Sequence, residues 1–191
     1  MCGIVGYTGN LSACPILIEG LARLEYRGYD SAGIAVHQDG GLQVVRRRGK
    51  VADLAHTAGH FDLTGTCGIG HTRWATHGRP SEANAHPHTS CAGDFAVVHN
   101  GIIENFAELR EELESRGHTF RSETDTEVIA HLIEETYVGE GKRDLLETVR
   151  IAAMRLVGSY GLAVMSSHEP GAIVVTRKDM PIIVGAAEDG A

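Results

Sequence analysis

Met1-Cys2-Gly3-Ile4-Val5-Gly6 is the stretch around which the rest of the chain is read. Cysteine is small enough to permit removal of the initiator methionine, which would leave Cys2 with a free α-amine. That amine has a reference pKa of about 7.7–8.0, against about 10.4 for lysine, so part of it is neutral near pH 7 and can accept the thiol proton. Nucleophile and base on one residue meet the requirement of covalent acyl transfer. Gly3-Ile4-Val5-Gly6 reads as a short buried strand whose glycines let backbone or substrate approach closely. Taken alone, Cys2 reads as a small buried apolar residue at a chain start, and it is the rest of the chain that shifts the reading.

With 191 residues the chain is read as one domain, 1–191, large enough to bury its own core. Hydrophobic residues at 42% and charged residues at 22% describe a globular protein. No apolar run approaches a membrane span, and no basic-then-apolar leader is present, which points to the cytoplasm and away from membranes. A net charge of −8 argues against nucleic-acid binding, and Arg46-Arg47-Arg48 is read as a solvated strand end. Cys2, Cys14, Cys67 and Cys91 have no CxxC spacing and are expected to stay reduced.

Outward from the first strand, the pattern predicts a helix capped by Ser12 and running to Tyr26, stopped by Gly28, with Leu17, Leu21 and Leu24 on one face. A strand at 34–36 returns through Asp39-Gly40-Gly41 as a hairpin, and a short helix spans 50–56. Cys67–Thr72 is a buried strand feeding Arg73-Trp74, followed by a loop to Ser90 of a length that is usually functional. A strand at 95–99 ends at Asn100-Gly101. Helices are predicted at 105–116, after a Thr124/Glu127 capping box, and at 143–156. Strands follow at 162–165, 172–175 and 182–184, with Glu169-Pro170-Gly171 as a turn. The class is α+β with mainly antiparallel sheets.

A hydrolytic site on Cys2 needs oxyanion donors and groups that hold a substrate. The Asn100 amide and the Gly101 N–H supply donors of the right type, although Asn-Gly is also a common turn. Arg73 and Asp125 suit the two ends of an α-amino acid, or else form a structural ion pair or a helix cap. His71, His77, His86, His88, His99 and Cys91 lie close in sequence, but without the tight spacings of structural zinc sites. No metal is therefore expected, and the histidines are read as satisfied loop or core residues.

Cys2–Gly6, Tyr26–Gly33, His71–Gly78, Asn84–His88, His99–Asn105 and Ser122–Glu127 together resemble the glutaminase domain of the isomerizing glutamine–fructose-6-phosphate aminotransferases, the glucosamine-6-phosphate synthases, over essentially the whole chain. The resemblance implies a class II glutamine amidotransferase with the N-terminal nucleophile hydrolase fold, a four-layer αββα sandwich. It implies that Cys2 attacks the side-chain amide of L-glutamine and that Asn100 and Gly101 stabilise the oxyanion. Arg73 would hold the substrate carboxylate and Asp125 its ammonium, with Thr76 and His77 lining the pocket. It assigns Trp74 to a closing loop that helps gate ammonia, and Arg27 to support of the nucleophile's end. No cofactor is implied. L-glutamate and ammonia would be the products, the ammonia passing to fructose 6-phosphate on sugar-isomerase domains of a homodimeric parent, for amino-sugar synthesis. Those domains are absent from this chain, and the glutaminase domain is expected to be incomplete at its C-terminal end. The amidophosphoribosyltransferases resemble the chain at Cys2, Arg27-Gly28, Arg73 and Asn100-Gly101, but typically differ at Tyr29 and Trp74. They are the alternative, together with an inactive glutamine-binding fragment.

Overall fold

The computed structural model describes residues 2–28, 30–74, 78–139 and 144–186. In chain order the elements are β1 (Gly3–Thr8), α1 (Ala13–Leu24), β2 (Ser31–Gln38), β3 (Gly41–Arg48), α2 (Val51–Ala58), β4 (Cys67–Arg73), β5 (His88–Thr89) and β6 (Phe95–Ile103). They continue with α3 (Phe106–Ser115), α4 (Thr126–Gly139), α5 (Leu145–Ala153), β7 (Gly158–Ser166) and β8 (Val174–Lys178). Among the described residues these strands form two four-stranded antiparallel sheets, ordered β1-β4-β2-β3 and β5-β6-β7-β8.

Strand alternation sets the layers. On β2, Ala32, Ile34 and Val36 face Leu17 and Leu21 of α1 and Leu54 of α2, while Ala35 joins Cys67, Ile69, Ala96, Val98, Ala163 and Met165 between the sheets. On β6 and β7, Phe95, Val97, Leu162 and Val164 face the opposite way, onto Leu109, Leu113, Val128, Leu132 and Leu145 of α3, α4 and α5. The order is helices, sheet, sheet, helices, the four-layer α+β sandwich. Gly68 and Gly70 let α1 lie close on β4: a Cβ at either would come within 2.8 and 3.0 Å of Leu17 Cδ1 and Leu21 Cδ1, respectively. All four cysteines are free. Among the described residues no helix is long and apolar enough to cross a membrane.

Several local expectations change. The strand expected to end before Asn100-Gly101 runs on to Ile103, because the partner strand begins earlier than predicted and pairs Gly101 with Tyr160 and Ile103 with Gly158. Residues 182–184 form no strand; Ile183 is 95% exposed, and the last bridge to the sheet joins Asp179 to Tyr160. Ser12 does not cap α1 with its side chain but donates to the Leu63 carbonyl. The capping box is half made. Glu127 N reaches Thr124 Oγ1 at 3.4 Å, whereas the Glu127 carboxylate turns back to accept from Arg121 N, Ser122 N and Ser122 Oγ. Asp144, whose Oδ1 accepts from Glu147 N, starts α5; Arg143 lies outside the described residues. Within the basic triplet, Arg47 donates to Thr57 and pairs with Glu82, and burial pulls Arg46 below its ordinary pKa, so the cluster is not simply a solvated strand end.

Candidate active site

Cys2 precedes β1 at the end of the first sheet where β4 finishes. Its sulfur accepts from the Trp74 N–H at 3.2 Å and faces the Trp74 carbonyl at 3.7 Å. The adjoining Gly3 N–H donates to Thr72 Oγ1, and a Cβ on Gly3 would come within 2.8 Å of Leu24. Burial pushes the Cys2 thiol above its ordinary pKa, opposed by the Trp74 N–H and by the charge of Arg73. A raised thiol stays protonated until a nearby base takes the proton, which suits activation by an adjacent amine.

Asn100 arrives from the opposite sheet. Its Nδ2 donates to the Cys2 carbonyl at 3.3 Å, and its Oδ1 accepts from His71 Nε2 at 3.0 Å. His71 Nε2 lies at the same distance from the His99 carbonyl, so this nitrogen carries the proton. Burial drives the His71 pKa down to about 3, leaving the ring neutral. A neutral donor thus fixes the amide with its NH₂ toward Cys2. Gly101 follows with φ 132°, and a Cβ there would meet the Ser159 carbonyl at 2.0 Å. Only glycine fits that position.

Arg73, the last residue of β4, is buried. Nη2 donates to the Gly78 carbonyl and Nη1 lies 3.9 Å from Asp30 Oδ1. Asp125, immediately before α4, is also buried; its Oδ2 accepts from Ile103 N at 2.9 Å and lies 4.0 Å from His99 Nδ1. Asp125 is thereby tethered to the strand that carries Asn100 and Gly101. Trp74 is 57% exposed, and its ring lies over Gly28, where a Cβ would come within 2.7 Å. Arg27 ends a 3-10 turn directly before that glycine. Thr76 and His77 lie outside the described residues.

The long loop is seated on the same framework. Gly33 of β2 leaves room for the His86 carbonyl, which a Cβ would meet at 2.2 Å. Asn84 bridges Arg79 and Glu123, joining the loop to the segment that carries Asp125. His86 and His99 both contact Thr126 Oγ1 at 2.9 Å, His88 contacts Thr124 Oγ1, and His71 stacks on His86 with 4.1 Å between ring centres. These core histidines brace the Asp125 end of the site.

Sequence reasoning missed three contributors: His71 as the residue that orients Asn100, Asp30 as the carboxylate facing Arg73, and Gly28 as the space for Trp74. The signal for His71 was available, since it sits two residues before Arg73 on a strand and so shares its face.

Residues 56–182 match the glutamine amidotransferase domain family. The glutamine–fructose-6-phosphate aminotransferases (isomerizing) of Symbiobacterium thermophilum and Thermus thermophilus are 56% and 57% identical over 188 and 189 residues, 98% of this chain and 30% of each relative. That of Aquifex aeolicus is 54% identical over 98% of this chain and 31% of its own length. The chain thus spans under a third of the length of these relatives. Among solved structures, glutamine phosphoribosylpyrophosphate amidotransferase from B. subtilis superposes with a TM-score of 0.73 at 29% identity, covering 87% of this chain and 35% of that one. On the family match and on this identity over nearly its whole length, the chain belongs to the glutamine amidotransferase domain family.

Proposed function

We propose that the chain hydrolyses the side-chain amide of L-glutamine, with Cys2 as the nucleophile. The observation that carries this reading is the convergence on one residue of a thiol from the first sheet and an oriented amide donor from the second, beside a buried guanidinium. Once Met1 is removed, the Cys2 amine takes the thiol proton and sulfur attacks the amide carbon, forming the C–S bond. The oxygen of the tetrahedral intermediate takes its charge stabilisation from Asn100 Nδ2 and the Gly101 N–H. Collapse breaks the C–N bond, the ammonium of Cys2 protonates the departing ammonia, and a thioester remains. Water hydrolyses that thioester to glutamate and regenerates the thiol. Arg73 holds the α-carboxylate and Asp125 the α-ammonium, with Thr76 and His77 completing the pocket, Trp74 covering it and Arg27 supporting its Cys2 end.

In the whole protein the ammonia passes to fructose 6-phosphate bound on sugar-isomerase domains, giving glucosamine 6-phosphate. Identity above 50% to the fructose-6-phosphate enzymes favours this acceptor over phosphoribosylpyrophosphate, for which the structural likeness stands at 29%.

Intact mass before and after exposure to an electrophilic glutamine analogue tests the reading. The expected result is a chain lacking methionine that gains one adduct, mapped to Cys2 and prevented by excess glutamine. A processed chain that leaves Cys2 unlabelled under conditions where it binds glutamine would overturn the assignment.

A further inference from the structure

At the opposite end of β6 from Asn100, four side chains from three segments turn their ligand atoms toward one point. Cys91 lies in the turn before β6, His118 follows α3, and His131 and Glu134 lie on α4. Cys91 Sγ, both histidine Nδ1 atoms and a Glu134 carboxylate oxygen all fall within 4.8 Å of one another. His118 Nδ1 and His131 Nδ1 are 3.3 Å apart, Cys91 Sγ is 3.6 and 3.4 Å from them, and Glu134 Oε2 is 3.4 Å from His118 Nδ1. A tetrahedral zinc ion with bonds of about 2.3 Å to sulfur and about 2.0–2.1 Å to nitrogen or oxygen requires edges of about 3.3–3.4 Å between light atoms and about 3.5–3.6 Å between sulfur and nitrogen. Three of these four separations equal those edges, the fourth, Cys91 Sγ to His131 Nδ1, is about 0.1–0.2 Å shorter, and the Glu134 oxygen stays within 4.8 Å of the other two ligand atoms.

The surroundings fit the same geometry. His118 Nε2 lies 3.2 Å from Glu135 Oε2, and His131 Nε2 lies 3.6 Å from Glu127 Oε1. The Glu135 carboxylate on the outer nitrogen of His118 places the proton there and turns the Nδ1 lone pair inward, as for histidines that bind metals. The outer nitrogen of His131, by contrast, is buried without a hydrogen-bond partner among the described residues and has Glu127 only at ion-pair distance. The Thr119 N–H donates to Cys91 Sγ at 3.3 Å, and Cys91 N and Ala92 N hold the Glu134 carboxylate. Cys91 is exposed and, with His118 and Glu134, lines a surface pocket that gives an ion its way in.

We propose that Cys91, His118, His131 and Glu134 form a structural zinc site. Binding releases the Cys91 thiol proton, and four protein ligands close the coordination shell, so the ion clamps the turn before β6 and the end of α3 onto α4 rather than taking part in hydrolysis. The sequence expectation of no metal followed from looking for tight spacing. These ligands are dispersed, and of the residues considered there only Cys91 takes part.

The test uses the full-length protein, metal-stripped and reloaded with cobalt(II) or zinc(II). One ion per chain is expected, with the visible bands of tetrahedral cobalt and a thiolate-to-cobalt charge-transfer band. That band disappears in Cys91→Ser and persists in Cys2→Ala. Glu135→Gln, which keeps every ligand, weakens affinity by about 10–100-fold. In chelator, Cys91→Ser and the parent melt at the same temperature, and zinc raises only the parent. Absence of a bound ion, a cobalt spectrum indifferent to Cys91→Ser, or a melting loss in Cys91→Ser equal with and without zinc would overturn the site and leave a hydrogen-bonded histidine network.

Discussion

At the scale of single residues, the division of labour around Cys2 predicts different kinetic signatures for its neighbours. Asn100 Nδ2 is a side-chain donor held beside Cys2, and in the proposed mechanism its value lies in the transition state, where charge develops on the amide oxygen. Asn100→Ala should lower kcat by about 10²–10³-fold with little change in KM, as removal of one oxyanion donor does elsewhere. Arg73 is different, because the substrate carboxylate proposed for it would be bound in ground and transition states alike. Arg73→Lys keeps the charge but loses the two-pronged fit, and initial-rate measurements should show KM raised more than kcat is lowered. An equal fall in kcat with an unaltered KM would remove Arg73 from substrate binding. His71→Phe should resemble a weaker Asn100→Ala, since it strips the donor that orients the amide and leaves Asn100 Oδ1 and the His99 carbonyl short of a partner.

At the scale of elements, glycines separate what was legible in the sequence from what was not. Gly117, just past the end of α3, has φ 97° and no atom within 4 Å of the place a Cβ would occupy, so Gly117→Ala should cost only the backbone strain of about 1–2 kcal/mol. Gly101 combines a positive φ with contact against β7. Gly101→Ala should therefore be the more destabilising of the two and should also lose activity, as read by the denaturant midpoint at constant slope and by turnover. Asn-Gly could not be recognised as mid-strand from local chemistry, because the dipeptide's turn preference is overridden by pairing with a strand nearly sixty residues away in sequence. Elements with their own period and stops, α1, α3 and the hairpin at Asp39-Gly40, were legible. Cys2, Asn100, Arg73 and Asp125 could be nominated one by one from side-chain chemistry, and the family pattern joined them. His71, Asp30 and the dispersed Cys91 cluster depend on which faces meet across the sandwich, which no local window contains.

At the scale of the whole molecule, three hydrophobic layers surround a polar seam of buried histidines that runs from the Cys2 end of the first sheet to the start of α4. Burial drives His71 and His88 down to about 3 and also lowers His86 and His99. In the unfolded chain these rings titrate near 6.5, so between about 6.5 and 3 the unfolded state binds more protons than the folded one, and stability falls as pH falls. For a ring shifted as far as His71 or His88, the loss between neutral pH and pH 5 is on the order of 2 kcal/mol. Carboxylates with ordinary values near 4 remain largely ionised at pH 5, so the four lowered histidines set the sign in this window, against one opposing ring, His131, whose pKa Glu127 and Glu134 raise in spite of its burial. Urea unfolding at pH 7 and pH 5 should show a lower midpoint at pH 5 with an unchanged slope, and His71→Gln, which keeps an N–H donor but cannot titrate, should narrow the difference by about one histidine's share. Equal midpoints at the two pH values would mean that the seam admits protons without unfolding, and the neutral donor on which the orientation of Asn100 rests would have to be reassigned.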